Sequence, residues 1–301
     1  MTAGDWIDGF LQRERLPQSY RDTIRDICGP LAATIERAAE HASGNGGGTL
    51  QVGLCGAQGS GKSTLAAALV ELLRADGLAA ASLSIDDFYL THAARSDLAR
   101  SVHPLLQTRG VPGTHEVPLA LATLGALRRP GVIALPAFDK QVDDRRATID
   151  WPRVAGPLRV TLLEGWCVGA RPEADTALAQ PLNTLESDED PDGRWRGYVN
   201  RCLAGNYQQL FGELDLLLLL QAPSFDVVYG WRLEQERKLR ARVAATGGDV
   251  SRVMDDAGVA RFISHYERIT RHILAEMPAR ADVVIELDAA RAPLRLLARS
   301  G

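Results

Sequence analysis

The chain has 301 residues, of which 46% are hydrophobic, and a formal net charge of -4, enough apolar chain for one large core or two modest ones. The acidic balance and an aromatic share of only 6% exclude a polyanion-wrapping surface, which needs a basic patch and stacking rings. The longest apolar run, Leu214 to Leu220, is broken by Asp215 and is too short for a hydrocarbon core of about 30 Å.

The acidic start, Met1-Thr-Ala-Gly-Asp-Trp6, lacks the basic and apolar stretches of a signal peptide, so a cytoplasmic protein is expected. Residues 5–42 then space apolar groups helically (Trp6, Phe10, Leu11, Ile24, Ile27, Leu31, Ile35), with Leu16-Pro17 as a break between two helices. Gly44-Asn-Gly-Gly-Gly48 reads as a flexible hinge. The chain therefore divides into an N-terminal helical extension with its linker, 1–47, and a main domain, 48–301.

The main domain opens on the apolar strand Leu50–Cys55, which runs into Gly56-Ala57-Gln58-Gly59-Ser60-Gly61-Lys62-Ser63-Thr64. A strand, a glycine-rich turn and a helix in that order form a phosphate cradle. The glycines let successive N–H groups point inward, and the helix adds its positive N-terminal end. Lys62 is placed to reach the β- and γ-phosphates of ATP, the Ser63 hydroxyl to ligate Mg²⁺, and Thr64 to assist. Only three of the 34 basic residues are lysines, Lys62, Lys140 and Lys238, and a compact ammonium serves where a planar guanidinium does not fit.

A helix from Lys62 to about Ala75 and a strand at Ala79–Ile85 follow, the latter ending in Asp86-Asp87-Phe88-Tyr89. Two acids at the carboxyl edge of a parallel strand lie where ligands bind in open α/β sheets, and one carboxylate there can accept the proton of an attacking hydroxyl. An Asx turn or a helix N-cap is the plain alternative for the pair. Two loops combine turn residues with charge: Arg109-Gly-Val-Pro-Gly-Thr-His115-Glu116, and Pro136-Ala-Phe-Asp-Lys140 followed by Asp144-Arg145. Pinned backbone beside Arg, His and Lys suits a pocket for an anionic substrate, and equally an ordinary polar loop.

An apolar segment at Val132–Leu135 and a strand at Leu158–Leu163 continue the alternation, and Val160-Thr-Leu-Leu-Glu164-Gly165 has the form of a Walker-B strand, its acid placed to hold the Mg²⁺ shell. The acidic stretch Glu186–Gly193 reads as a solvated surface turn. A strand Leu214–Gln221, a polar helix from about Val227 to Ala244, a helix near Val259–Met277 and a strand Ala281–Leu287 complete the pattern, which predicts a mostly parallel sheet with helices on both faces. The four cysteines, Cys28, Cys55, Cys167 and Cys202, form no close pair and read as buried reduced thiols.

Together these motifs resemble the D-glycerate 3-kinase family of plants, fungi and bacteria, P-loop kinases related to uridine kinase, phosphoribulokinase and bacterial pantothenate kinase. The resemblance spans about Leu50 to Leu287. It also takes in Glu164-Gly-Trp166, Gly193-Arg-Trp-Arg-Gly-Tyr-Val-Asn200, Trp231-Arg-Leu-Glu-Gln-Glu236, Tyr266-Glu-Arg-Ile-Thr-Arg271 and Glu276-Met-Pro278. It implies a P-loop NTPase fold of three α/β/α layers and ATP-dependent phosphorylation of D-glycerate to 3-phosphoglycerate. Asp86 would be the general base with Asp87 as second choice, Glu164 the Walker-B acid, and Ser63, Glu164 and Asp86 the groups around Mg²⁺. Arg109, His115, Lys140 and Arg145 would hold the substrate carboxylate, and Arg232 would sit on a lid over ATP. Glu116 and Ala137 depart from the family pattern, which has Asp and a larger residue there. Pantothenate, uridine or a sugar phosphate are alternative acceptors, and an ATP-binding regulator without an acceptor is the reading from another class; no oligomeric state follows.

Overall fold

The computed structural model describes residues 3–44, 48–246, 249 and 253–299. Helix α1 (Ala3–Glu14) ends before Leu16-Pro17. The chain becomes helical again in α2 (Tyr20–Thr23), passes through a π-helical turn (Ile24–Cys28) and continues as α3 (Gly29–Gly44). The break falls where the sequence expects it, because Pro17 has no N–H to continue the ladder. Most of the glycine-rich hinge, residues 45–47, lies outside the described residues.

Strand β1 (Leu50–Gly56) leads into α4 (Lys62–Ala75), and β2 (Ala80–Ser84) into α5 (His92–Ser101) and α6 (Val117–Leu127). Two short ribbons follow. One pairs β3 (Gly131–Ala134) with β6 (Arg153–Gly156); inside it, β4 (Phe138–Asp139) pairs with β5 (Asp144–Arg145), both antiparallel. Strand β7 (Val160–Gly165) returns to the main sheet, α7 (Thr184–Glu189), α8 (Arg194–Cys202) and α9 (Gln208–Phe211) precede β8 (Leu216–Gln221), and α10 (Phe225–Ala245) and α11 (Asp256–Glu276) precede β9 (Val283–Leu287) and β10 (Pro293–Ala298).

The six strands of the main sheet run in the order β10-β9-β8-β1-β7-β2. All neighbours are parallel except β10, which pairs antiparallel with β9. Strand β1 is central, with Val52 opposite both Leu162 and Leu216, and every residue of β1 and β7 is buried, as strands covered on both faces require. The P-loop NTPase fold with its mostly parallel sheet is thus the one the sequence implies. Phe10, Leu11, Leu31 and Ile35 from the N-terminal helices belong to the same buried core as β1 and α4, and each such side chain contributes about 1.5–3 kcal/mol.

Three details depart from the sequence reading. The Val132–Leu135 segment forms an outlying antiparallel ribbon and not a strand of the main sheet; α6 already makes the crossover from β2 to β7, and Val132 is left 71% exposed. Strand β10 was not anticipated. The acidic stretch is not a solvated turn: Glu186 and Asp190 are fully buried. Glu186 accepts from Arg268 Nε at 2.8 Å and Nη2 at 2.6 Å, while Asp190 accepts from the Trp195 and Arg196 N–H groups at 2.7 and 3.1 Å and from the Arg196 guanidinium at 2.9 Å. The two acids thus form two buried ion pairs, each with further hydrogen-bonded partners, as burial of charge demands.

Candidate active site

The turn between β1 and α4 is shaped by glycine. Gly59 and Gly61 adopt φ of +80° and +89°, conformations that cost an L side chain about 1–2 kcal/mol. At Gly59 a Cβ would stand 2.9 Å from the Trp231 Cβ, and at Gly56 one would stand 2.8 Å from Ser60 Oγ. A side chain is therefore excluded at Gly56 and at Gly59, where the turn offers backbone N–H groups and, beyond it, the N-terminus of α4. A cavity of about 380 Å³ opens above it, reached by Lys62, Ser63, Asp86, Arg109, Lys140 and Arg232.

Asp86 sits at the first turn after β2, where Ser84 Oγ accepts from its N–H at 3.3 Å. Its carboxylate accepts from Tyr89 Oη at 2.8 Å and from Lys140 Nζ at 2.6 Å. Burial acts to raise this carboxyl, yet the Lys140 and Lys62 ammoniums and the two hydrogen bonds outweigh it and hold it at about 2. Asp87 behaves oppositely: burial raises its carboxyl against the opposing Phe138 N–H, which donates to Asp87 Oδ1 at 3.2 Å. That bond anchors the first residue of β4, and so the hairpin that carries Lys140. The acid pair thus divides its work, with Asp86 facing the cavity and Asp87 fixing the hairpin.

Glu164, in β7, is 5% exposed. Its Oε1 accepts from Ser63 Oγ at 2.9 Å, and its Oε2 lies 3.9 Å from Lys62 Nζ with no hydrogen-bond partner. A buried carboxylate oxygen left without a donor calls for a further cation or a bound water. Together with the Ser63 hydroxyl, it forms the hard-oxygen donor set that fits the shell of a magnesium ion shared with phosphate.

The four residues expected to hold the substrate carboxylate are not brought together. Lys140 and Arg109 reach the cavity. Arg109 is paired with Asp143, which also holds the buried Arg95 at 3.0 Å, and its guanidinium lies 5.5 Å from the Phe138 ring centre. His115 stands behind Tyr89, stacked at 4.6 Å, with Nδ1 2.6 Å from Tyr207 Oη. Burial lowers its ring to about 4, so at neutral pH it is uncharged and supports the wall as a packing group rather than as a cation. Arg145 turns away to Glu116, at 2.6 Å, and to the Tyr89 carbonyl, at 2.7 Å. Glu116, one of the departures from the family pattern, is therefore the partner of Arg145.

Helix α10 lies over the phosphate turn. Arg232 projects from it into the cavity, paired with Glu236 at 2.6 Å and 5.4 Å from the Phe262 ring centre. Four aromatic side chains of the wall escaped assignment from sequence: Tyr89, Trp166, Phe262 and Tyr266. Trp166 Nε1 donates to the Gly110 carbonyl at 2.9 Å, and Tyr266 Oη to the Arg109 carbonyl at 3.1 Å. Gly110, at φ +132°, leaves room for the phenol, since a Cβ there would stand 2.0 Å from Tyr266 Oη. Tyr89 and Trp166 lie within two residues of the assigned acids, and Tyr266 opens a stretch that carries the family resemblance, which were usable signals; nothing local singles out Phe262.

The uncharacterized kinase mug58 of Schizosaccharomyces pombe is 36% identical over 231 residues, covering 71% of this chain and 77% of that protein. The chloroplastic D-glycerate 3-kinase of Arabidopsis thaliana is 33% identical over 263 residues, covering 81% of this chain and 54% of the plant protein. The chain belongs to the D-glycerate 3-kinase family of P-loop kinases. The D-glycerate 3-kinase of Cryptococcus neoformans shares the fold of this kinase, with a TM-score of 0.72 at 24% identity over 91% of this chain and 99% of that one. No family model matches the sequence. This kinase is accordingly a phosphotransferase with a hydroxyl acceptor, and among its described residues no helix is long and apolar enough to cross a membrane.

Proposed function

We propose that this kinase transfers the γ-phosphoryl group of ATP to a hydroxyl of D-glycerate, giving 3-phosphoglycerate and ADP. The observation that carries the reading is the shared carboxylate of Asp86, which receives Lys140 at 2.6 Å and feels the Lys62 ammonium of the phosphate turn. A proton acceptor is thereby set between the donor's phosphate and a cation suited to an acceptor's carboxylate. Magnesium, held with phosphate by Ser63 and, through water, by Glu164, would neutralise charge on the transferred group.

In the reaction the acceptor hydroxyl gives its proton to Asp86, its oxygen bonds to the γ-phosphorus, and the bond from that phosphorus to the β,γ-bridging oxygen breaks. Lys62 offsets the charge of the phosphates. Arg109 and Lys140 hold the acceptor carboxylate, and Arg232 on α10 excludes water from above. A carboxyl at about 2 is a weak base, so the Lys140 ammonium must be drawn off; a substrate carboxylate is the chemistry that draws it, leaving Asp86 more basic only when the acceptor is bound. Residues 48–301 carry these groups and residues 1–47 support them. The free thiols at Cys28, Cys55, Cys167 and Cys202 suit a reducing cytoplasm.

Purified enzyme with ATP, Mg²⁺ and a panel of D-glycerate, pantothenate, uridine and ribulose 5-phosphate tests the acceptor. Turnover of another member with none of glycerate discards this choice. Asp86→Asn is expected to lower kcat by about 10²–10⁴ with little change in ATP affinity, and equal turnover removes Asp86 as the base.

A further inference from the structure

Arg95 of α5 is 1% exposed, and the phosphate and acid motifs do not account for it. A guanidinium taken so far from water must have its donors answered. Its Nε donates to the Leu90 carbonyl at 3.3 Å, its Nη1 to the Gln107 carbonyl at 3.0 Å and its Nη2 to the Asp143 carbonyl at 2.7 Å, with Asp143 Oδ2 at 3.0 Å. These acceptors belong to three segments: the chain after Tyr89, the turn that precedes Arg109, and the corner between β4 and β5. One side chain thereby ties the hairpin that carries Lys140 to the loop that carries Arg109.

Asp143 turns the corner with a φ of +57°, a conformation that Asp and Asn tolerate better than other side chains. The next residue strengthens the tie, since Asp144 Oδ1 accepts from the His92 N–H of α5 at 3.1 Å. The Asp143 carboxylate is shared: one oxygen meets Arg95 and the other Arg109. Both guanidiniums also lie beside the Phe138 ring, 5.8 and 5.5 Å from its centre. Two positive charges against one negative leave a surplus of one. Arg95 is walled off, so the surplus is presented where Arg109 enters the cavity. The other cations of the two charged loops add little to it, because Lys140 is matched by Asp86 and Arg145 by Glu116.

We infer that Arg95 and Asp143 are positioning residues that hold Arg109 at the Lys140 end of the cavity with one surplus positive charge, so that the site selects an anionic acceptor over its neutral counterpart. The inference rests on the proposed transfer to D-glycerate and adds to it the residues that enforce the acid group. Asp143 keeps the two guanidiniums together. Without its charge they repel one another, and Arg109, 27% exposed against 1% for Arg95, is the one that moves.

Steady-state kinetics on the full chain compare D-glycerate with D-glyceramide, which replaces the carboxylate by a neutral amide and keeps both hydroxyls. Asp143→Asn retains the backbone carbonyl that Arg95 grips and a residue suited to the left-handed corner. It is expected to raise the D-glycerate KM by about tenfold, with kcat, the ATP KM and the D-glyceramide kcat/KM all within about twofold. A general loosening of the fold lowers kcat/KM for both acceptors alike, and that result overturns the positioning role. A D-glycerate KM that falls marks Asp143 as a competitor for Arg109 and overturns it too. Arg95→Met should act in the same direction as Asp143→Asn. In an Arg109→Met background neither change should raise the D-glycerate KM further by more than about twofold; additive losses refute action through Arg109. Should Arg95→Met fail to fold, Asp143→Asn with and without Arg109→Met decides the matter. Wild-type enzyme that turns over D-glyceramide as readily as D-glycerate defeats the inference and leaves the kinase standing. Enzyme that phosphorylates neither, while turning over another acceptor, discards the glycerate reading and the inference with it.

Discussion

Replacing Lys140 by Met removes the ammonium and keeps most of the apolar stem. In the native protein Lys140 Nζ donates to Asp86 Oδ2 at 2.6 Å, and the Asp86 carboxyl lies at about 2 in place of its ordinary 3.8. That difference, 3.8 less about 2, corresponds to about 2.4 kcal/mol at 1.36 kcal/mol per pH unit. Lys140 is 58% exposed, so solvent screening brings its share down to about 1–2 kcal/mol. A carboxyl held below its unfolded value stabilises the fold above about pH 4, and that contribution is lost as pH falls through about 2. Lys140→Met should therefore be less stable than wild type by about 1–2 kcal/mol at pH 7. Its stability should also decline less steeply between about pH 4 and pH 2. Urea unfolding at several pH values reads the stability, and carboxyl-carbon resonances read Asp86 directly. Under the proposed reaction the acceptor KM also rises by about tenfold or more, with the ATP KM within about twofold. If Asp86 still titrates near 2 and the acceptor KM is unchanged, the ammonium neither holds the carboxylate nor serves the substrate.

Gly59→Ala places a Cβ 2.9 Å from the Trp231 Cβ at a φ of +80°. It should cost about 1–2 kcal/mol in unfolding and push α10 away, with ATP affinity falling in calorimetry. Glu164→Gln keeps an acceptor for Ser63 Oγ at 2.9 Å but loses the charge; the Mg²⁺ concentration for half-maximal activity should rise, and an unchanged Mg²⁺ dependence would separate Glu164 from the ion. Glu186→Ala takes from the Arg268 guanidinium the carboxylate that now binds it at 2.6 and 2.8 Å; the Ala177 and Gln180 carbonyls and Glu173 remain, so the cost in urea unfolding should fall at the lower end of about 3–5 kcal/mol.

The shape of the candidate phosphate turn was legible because its sequence is local. A strand, five residues of turn and a helix lie together in sequence, and the bounds of α4 fall at Lys62 and Ala75 as the pattern predicts. The positions of Asp86 just after β2 and of Glu164 near the end of β7 were legible as well, since a parallel strand delivers the residue at its carboxyl end to the edge where ligands bind in such sheets. The acceptor side was harder, because charge in a loop gives no direction. His115 and Arg145 belong to the same charged loops as Arg109 and Lys140, yet tertiary packing buries the first against Tyr207 and turns the second to Glu116. The acidic stretch at 186–193 misled for the same reason: its partners, Arg268 and Arg196, stand 82 and 6 residues away. Composition cannot distinguish a solvated carboxylate from one answered by a guanidinium that the fold turns toward it, whether near in sequence or far.

The placement of α10 ties the phosphate turn to the chain after β9. Its Trp231 backs Gly59 of the phosphate turn, and its indole donates to the Ala289 carbonyl at 2.7 Å. Arg291, also after β9, reaches back to Glu234 of the same helix, and Arg232, one residue beyond Trp231, faces the cavity. A shift of α10 would therefore move a cation over the phosphates and loosen the chain after β9 together. Phe225, Val228 and Trp231 bury the N-terminal half of α10 in the core, so such a shift would have to begin beyond Trp231.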